Sequence, residues 1–182
     1  MKEKTHVGNI TLVVRWPTGK EPELLLGLKR PKKKSDAKRK RKKVGSGLWV
    51  PTGGGTEAAD RSQKHSAQRE LLQESRLFFP LKSFKKVGTL RGYFGSTKRP
   101  HWLVHVYLVI TDDPNLTAVP NEEYTKMGWF TLAKLPWKKM LEGDRDWLLR
   151  AAQGQKLAVE VFFDQSGEKL IAVVVRRIAS FN

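Results

Sequence analysis

The chain has no cysteine, few acids relative to bases, and no long apolar run. Without cysteine there is no disulfide, no thiolate metal site and no thiol nucleophile. No apolar stretch approaches the roughly 18 residues of a spanning helix. The first ten residues, MKEKTHVGNI, are too short and polar for a secretory signal. Together these absences predict a soluble intracellular protein, cytoplasmic or nuclear. The shortage of acid is the most unusual: 18 Asp and Glu against 35 Lys and Arg leave a net charge of +17.

That charge is concentrated. Lys29 to Lys43 holds eleven basic residues and one acid, Asp36, and so supplies +10; the other 167 residues supply +7. Such a field attracts polyanions, among them RNA, DNA and phosphorylated nucleotides. Charge alone does not choose between them. An aromatic content of 9% argues against disorder of the whole chain, and 182 residues suit one domain spanning 1–182 with a basic loop insertion at 29–46.

ITLVVRW and ELLLGLKR, separated by PTGKEP, read as two strands and a turn. LWVP reads as a short strand end before Thr52 and three glycines. A helix is expected from about Ala58 to Ser75, because the segment is rich in helix formers and lacks Gly and Pro. KKVGTLRGYF, WLVHVYLVI and MGWFTLAKLPW supply further strands. A second helix is expected over Trp137 to Ala152, and VEVFFD and KLIAVVVRRI pair as a terminal hairpin around Gly167. This order predicts a mixed sheet flanked by helices.

Glu70 and Glu74 stand four apart, so their carboxylates leave one face of the first helix. A hard cation such as Mg²⁺ takes one or two carboxylates together with substrate phosphates, and the glycine turn allows backbone to approach closely. Ordinary solvated helix surface gives the same pattern. No Gly-Lys-Ser/Thr follows the glycines, which excludes a Walker A loop. His65, His105, Trp16, Trp102, Trp129 and Trp137 read chiefly as structural residues, although any of these tryptophans offers a face to a base.

Strand, Gly-rich loop and a helix carrying Arg69-Glu70-Leu71-x-x-Glu74 resemble a Nudix hydrolase. The order of ITLVVRW, ELLLGLKR, GLWVPTGGG, WLVHVYLV and MGWFTLAKLPWKKM resembles, more narrowly, the MutT-homologue branch that hydrolyses oxidised purine nucleoside triphosphates. The resemblance implies an α/β Nudix fold, a mixed β-sheet core flanked by helices in an α-β-α sandwich. It implies a pyrophosphohydrolase using Mg²⁺, with Mn²⁺ as a substitute, on a nucleotide or other diphosphate-linked small molecule. Catalytic residues are then Arg69, Glu70, Gln73 and Glu74, with metal held by Glu70, Glu74 and the backbone at Gly54 and Gly55.

The family motif is degenerate here. Laid on without gaps it sets Arg61 where an acid pairs with Arg69; a one-residue bulge sets Asp60 there instead. Gln73 stands for a Glu, and Arg76 for a Gly that ends the helix in a left-handed turn. The substrate positions implied are Lys29, Val50, Leu141, Asp144 and Trp147, of which Val50 and Leu141 lack the polar and aromatic groups the branch uses on its purine. Two other readings stay open: a weak or inactive Nudix-like module gripping RNA or DNA through Lys38, Arg39, Lys40, Arg41, Lys42 and Lys43, or an enzyme acting on RNA 5′ ends. Those six residues also fit a nuclear localisation segment.

Overall fold

A computed structural model describes residues 5–31 and 45–181. Eight strands and two α-helices are defined among them: β1 (His6–Arg15), β2 (Glu23–Lys29), β3 (Trp49–Val50), α1 (Gln63–Ser75), β4 (Lys85–Phe94), β5 (Trp102–Thr111), β6 (Tyr124–Thr131), α2 (Asp144–Ala152), β7 (Leu157–Phe163) and β8 (Leu170–Arg177). None of these helices is long and apolar enough to cross a membrane. The six basic residues Lys38 to Lys43, and most of the expected insertion at 29–46, lie outside the described residues.

The strands form one mixed sheet in the order β3-β2-β1-β5-β4-β7-β8, with β6 also paired to β2. β1 and β5 run parallel from His6↔Trp102 to Arg15↔Thr111, and β4 and β7 are also parallel; the remaining pairs are antiparallel. Alternation along β1 separates two cores, because successive side chains leave opposite faces of a strand. Leu12 and Val14 join Trp147, Leu148 and Ala151 of α2 on one face. Val13 joins Ala67 and Leu71 of α1 on the other. Helices therefore cover both faces.

Two helix expectations need correction. α1 begins at Gln63, not Ala58. Ahead of it Asp60 closes a turn, accepting from the Glu57 amide (2.8 Å) while its own amide donates to the Glu57 carbonyl (3.1 Å). Ser62 then caps the helix by accepting from the His65 amide. The second helix is broken: Trp137–Lys139 makes a single 3-10 turn, and α2 starts only at Asp144. Gly143 separates them at φ +93, packed so that a Cβ would stand 3.0 Å from Val173. At the end of α1, Arg76 adopts φ 61, ψ 10 and donates its amide to the Leu72 carbonyl. It takes the left-handed capping conformation without being glycine, which costs about 1 kcal/mol.

Candidate active site

Thr52 to Thr56 run antiparallel beside the first half of β1, bridged at Thr11↔Thr52 and Gly8↔Gly55, with Asn9 and Thr11 amides donating to the Gly54 and Thr52 carbonyls (2.9 and 2.8 Å). Gly53 is fixed by closeness, since a Cβ there would fall on the Asn9 carbonyl. Gly54 is fixed by what faces it: a Cβ would stand 2.6 Å from the carboxyl carbon of Glu70. The absent side chain is the seat of that carboxylate. Gly55 opens to solvent, with nothing within 4 Å of such an atom.

Arg69 ties the loop to the helix. Its Nε and Nη2 donate to the two oxygens of Asp60, both at 2.9 Å, while Nη2 also reaches the Gly55 carbonyl (3.0 Å). Nη1 donates to Glu70 (2.8 Å) and to the Gln73 carbonyl (3.1 Å). The fork holds the Asp60 carboxyl far below the usual carboxylate range. Arg61 is exposed and takes no part in this pairing. Asp60, through the one-residue bulge, is the acid that meets Arg69.

Glu70 and Glu74 sit in different surroundings. Burial raises the pKa of the half-buried Glu70, with Arg69 opposing that shift. Glu74 is 4% exposed and is pushed up to about 7, chiefly by burial. One of its oxygens accepts from the Gly53 amide (2.7 Å) and the other from the Tyr124 hydroxyl (3.0 Å). Tyr124 itself fits because Gly27 on the neighbouring strand has no Cβ, which would otherwise enter its ring. Strand, loop and helix thus converge on one carboxylate.

The donor set suits a hard divalent cation. The Glu70 carboxylate adds to the cost of ionising Glu74, although burial is the larger cause. Among the described residues no group of three or more His, Asp or Glu is assembled for a metal. A cation held by these two would complete its shell with water and substrate phosphate oxygens. The Gly54 carbonyl accepts from the Asn9 amide and keeps a second lone pair, whereas the Gly55 carbonyl accepts from both Arg69 and, at 3.5 Å, the Ser66 hydroxyl.

The other expected residues fall into two groups. Lys29 lies at the end of β2, 3.7 Å from Glu123 and over the Tyr124 ring. Val50 is buried in β3, opposite Gly27. Leu141 precedes α2 and accepts the Asp144 amide (3.1 Å). Asp144 is buried, its carboxyl pushed up to about 7 by burial, with Trp147 donating to it. Its Oδ2 has no partner among the described residues. Trp147 is in the core on the α2 face. Two concavities, about 330 Å³ beside Arg15 and Trp129 and about 530 Å³ beside Lys156 and Arg177, are lined by neither Glu70 nor Glu74.

Sequence reasoning missed Tyr124, Gly27 and Asn9. Asn9 was signalled by its place on the inward face of an apolar strand; it donates to the Ser66 hydroxyl (2.9 Å) beneath α1. Tyr124 carried no local signal, because its partner is 50 residues away.

No curated protein matches the sequence. Solved structures share the fold. A mutator MutT protein from Bacillus halodurans is 14% identical with a TM-score of 0.66, covering 93% of this chain and 97% of that one. The NUDIX domain of Shewanella oneidensis NrtR, solved with ADP ribose, is 15% identical with a TM-score of 0.61, covering 83% and 88%. A bifunctional NMN adenylyltransferase/ADP ribose pyrophosphatase from Francisella tularensis, solved with AMP and a Mn ion, is 18% identical with a TM-score of 0.59. It covers 84% of this chain, which spans 42% of its length. The NUDIX domain model matches residues 12–151. With that match covering most of the sequence, and with this fold, the chain belongs to the Nudix family.

Proposed function

We propose that the protein is a divalent-metal-dependent pyrophosphohydrolase acting on nucleoside diphosphate-linked substrates, nucleoside triphosphates among them. The observation that carries this reading is the Glu70 carboxylate seated on Gly54, with Glu74 behind it and Arg69 locked to Asp60. A related fold is solved with AMP and a Mn ion and another with ADP ribose, which supports the ligand class.

Glu70 and Glu74 would hold Mg²⁺ or Mn²⁺, which when bound neutralises phosphate charge and lowers the pKa of water. Arg69 keeps Glu70 oriented and ionised. Gln73, exposed on the same helix, offers its carbonyl to position the attacking water. Gly55, open to solvent, lets a diphosphate approach the backbone. A triphosphate cleaved this way gives a monophosphate and pyrophosphate.

Asp144 offers an unpaired buried oxygen to a donor on the substrate, with Trp147 holding the carboxyl in place. Lys29 offers a charge near the site. Val50 and Leu141 bring no polar pair and no ring, so a strong preference for oxidised purines is not part of this reading. The nucleic-acid reading rests on Lys38 to Lys43 and on charge alone. Neutralising those six should flatten the salt dependence of RNA or DNA binding if they touch backbone.

The test is metal-dependent release of phosphate or pyrophosphate from nucleoside triphosphates, ADP-ribose, dinucleoside polyphosphates and 5′-triphosphate RNA, with Glu70→Gln alongside. Turnover of one substrate by the native chain and its loss in the variant support the proposal.

A further inference from the structure

We infer that the face of β4, β7 and β8 turned away from α2 binds single-stranded nucleic acid, with an unpaired base stacked on Phe162. The inference uses neither the Glu70–Glu74 site nor the basic run Lys38 to Lys43, and it stands apart from the hydrolase reading.

The two cores divide the sheet unequally. The α2 core takes Leu90 of β4, Val159 and Val161 of β7, and Val173 and Val175 of β8. The α1 core draws its strand residues from β1, β2, β5 and β6, and none from β4, β7 or β8. Successive side chains leave opposite faces of a strand. The alternate positions of β4, β7 and β8 therefore form a face that belongs to neither core. Register sets Tyr93, Phe162 and Ala172 side by side there, with Arg91, Glu160 and Val174 in the next row.

Tyr93 and Phe162 stack across the β4–β7 pair, with centroids 5.0 Å apart and an interplanar angle of 13°. A ring stacked on its β4 neighbour in this way presents its other face toward β8. There the row continues with Ala172, which is exposed, carries only a methyl and lies on the last strand of the sheet. Phe162 has no second ring against it among the described residues. The next rung is one strand spacing wide, about 4.8 Å, and open at the sheet edge. An unpaired base fits there as the third ring of the ladder. A base inside a duplex, with both faces already stacked, does not.

The charges on this face select a polyanion. Lys86, Arg91 and Arg176 stand on it against one acid, Glu160. Glu160 is already paired with Arg176 and accepts from the Tyr93 hydroxyl (3.3 Å). Lys86 lies over the Phe181 ring at 4.8 Å, which adds a second aromatic to the basic side of the face. The chain carries +17, so a second copy meets like charge here while a phosphate backbone meets opposite charge. The bound strand runs from the Ala172 rung toward Arg91 and Arg176, away from the acids Asp164 and Glu168 between β7 and β8.

The experiment follows the fluorescence anisotropy of labelled oligouridylate, oligothymidylate and a duplex, each about 12 nucleotides long, titrated with the full chain at one salt concentration. Phe162→Leu should weaken binding of the single strands about 10-fold or more, the scale of one base–aromatic stack, and leave the duplex within about 2-fold. Phe162→Tyr should keep the native affinity. Ala172→Leu fills the open rung from an exposed position and should weaken the single strands alike, with an unchanged thermal melt. If the melt shows Phe162→Leu unfolded, Ala172→Leu decides alone. Unchanged single-strand affinity in a folded variant, equal losses on single strand and duplex, or a native chain that binds no single strand overturns the inference. So does polyglutamate that displaces the strands at equal charge concentration, which gives the face to an acidic peptide. A dimer that Ala172→Leu dissociates gives it to a second copy and overturns the inference as well.

Discussion

Asp60 and Arg69 meet as two forks, with Nε to Oδ1 and Nη2 to Oδ2 both at 2.9 Å. The same guanidinium reaches Glu70 and the Gly55 carbonyl. One ion pair therefore joins the turn before α1, the glycine loop and the first candidate metal carboxylate. Asp60→Asn should cost about 2 kcal/mol, less than a fully buried pair because Arg69 remains 19% exposed. Arg61→Ala, at the exposed neighbour, should stay within about 0.5 kcal/mol. Urea unfolding of the two variants checks the assignment. Equal losses would contradict it. The Asp60 carboxyl is depressed in the fold, so its contribution is fully present above its ordinary pKa of 3.8 and is lost progressively as pH falls from there through the lowered folded value.

Asp144 gives the opposite sign. Its folded pKa is about 7 against an ordinary 3.8, so the folded chain binds more protons than the unfolded one between those values. The stability held at low pH is lost as pH rises from about 4 to about 7. Asp144→Asn should remove this slope and be the more stable form at pH 8. Denaturation curves across pH 4–8 for both proteins would show it; an identical slope in the variant would count against the burial of this carboxyl.

Tyr124 and Gly27 act on Glu74 from outside the helix. Tyr124→Phe removes the hydroxyl from one Glu74 oxygen and should cost about 1–2 kcal/mol. It should also lower cation affinity, read by calorimetry. Gly27→Ala drives a methyl into the Tyr124 ring and should cost at least as much. Full cation affinity in both variants would show that Glu74 needs neither residue.

Gly54→Ala tests the seat of Glu70. The added methyl meets the Glu70 carboxylate at 2.6–2.7 Å, so the carboxylate must move. Turnover should fall about 10-fold or more with little change in melting temperature, because small displacements at a reacting centre are costly. A normal rate would mean that Glu70 does not work from this seat.

Much of this was readable from residue order. Short apolar runs bounded by turn residues marked the strands, and the β7–β8 hairpin followed from its Gly167 turn. Helix boundaries were less legible. Ala58 and Ala59 favour helix locally, yet Asp60 and Ser62 use their side chains on nearby amides and hold the chain out until Gln63. Gly143 interrupts the second helix for a tertiary reason, its packing on β8. The spacing of Glu70 and Glu74 set both carboxylates on one face of the helix. It did not disclose that Glu74 is buried, because Gly53 and Tyr124 come from distant segments. The choice between Asp60 and Arg61 depended on a bulge that spacing alone leaves open.

The central claim is that Glu70 on its glycine seat serves metal-dependent cleavage of a phosphoanhydride. Its most direct test is the initial rate of phosphate or pyrophosphate release with Mg²⁺ or Mn²⁺, for the native chain and Glu70→Gln, both shown folded by thermal melt. The account predicts turnover that chelation abolishes and that the variant lowers about 100-fold or more. Equal release by both proteins, or release by neither from any substrate in the panel, would contradict it.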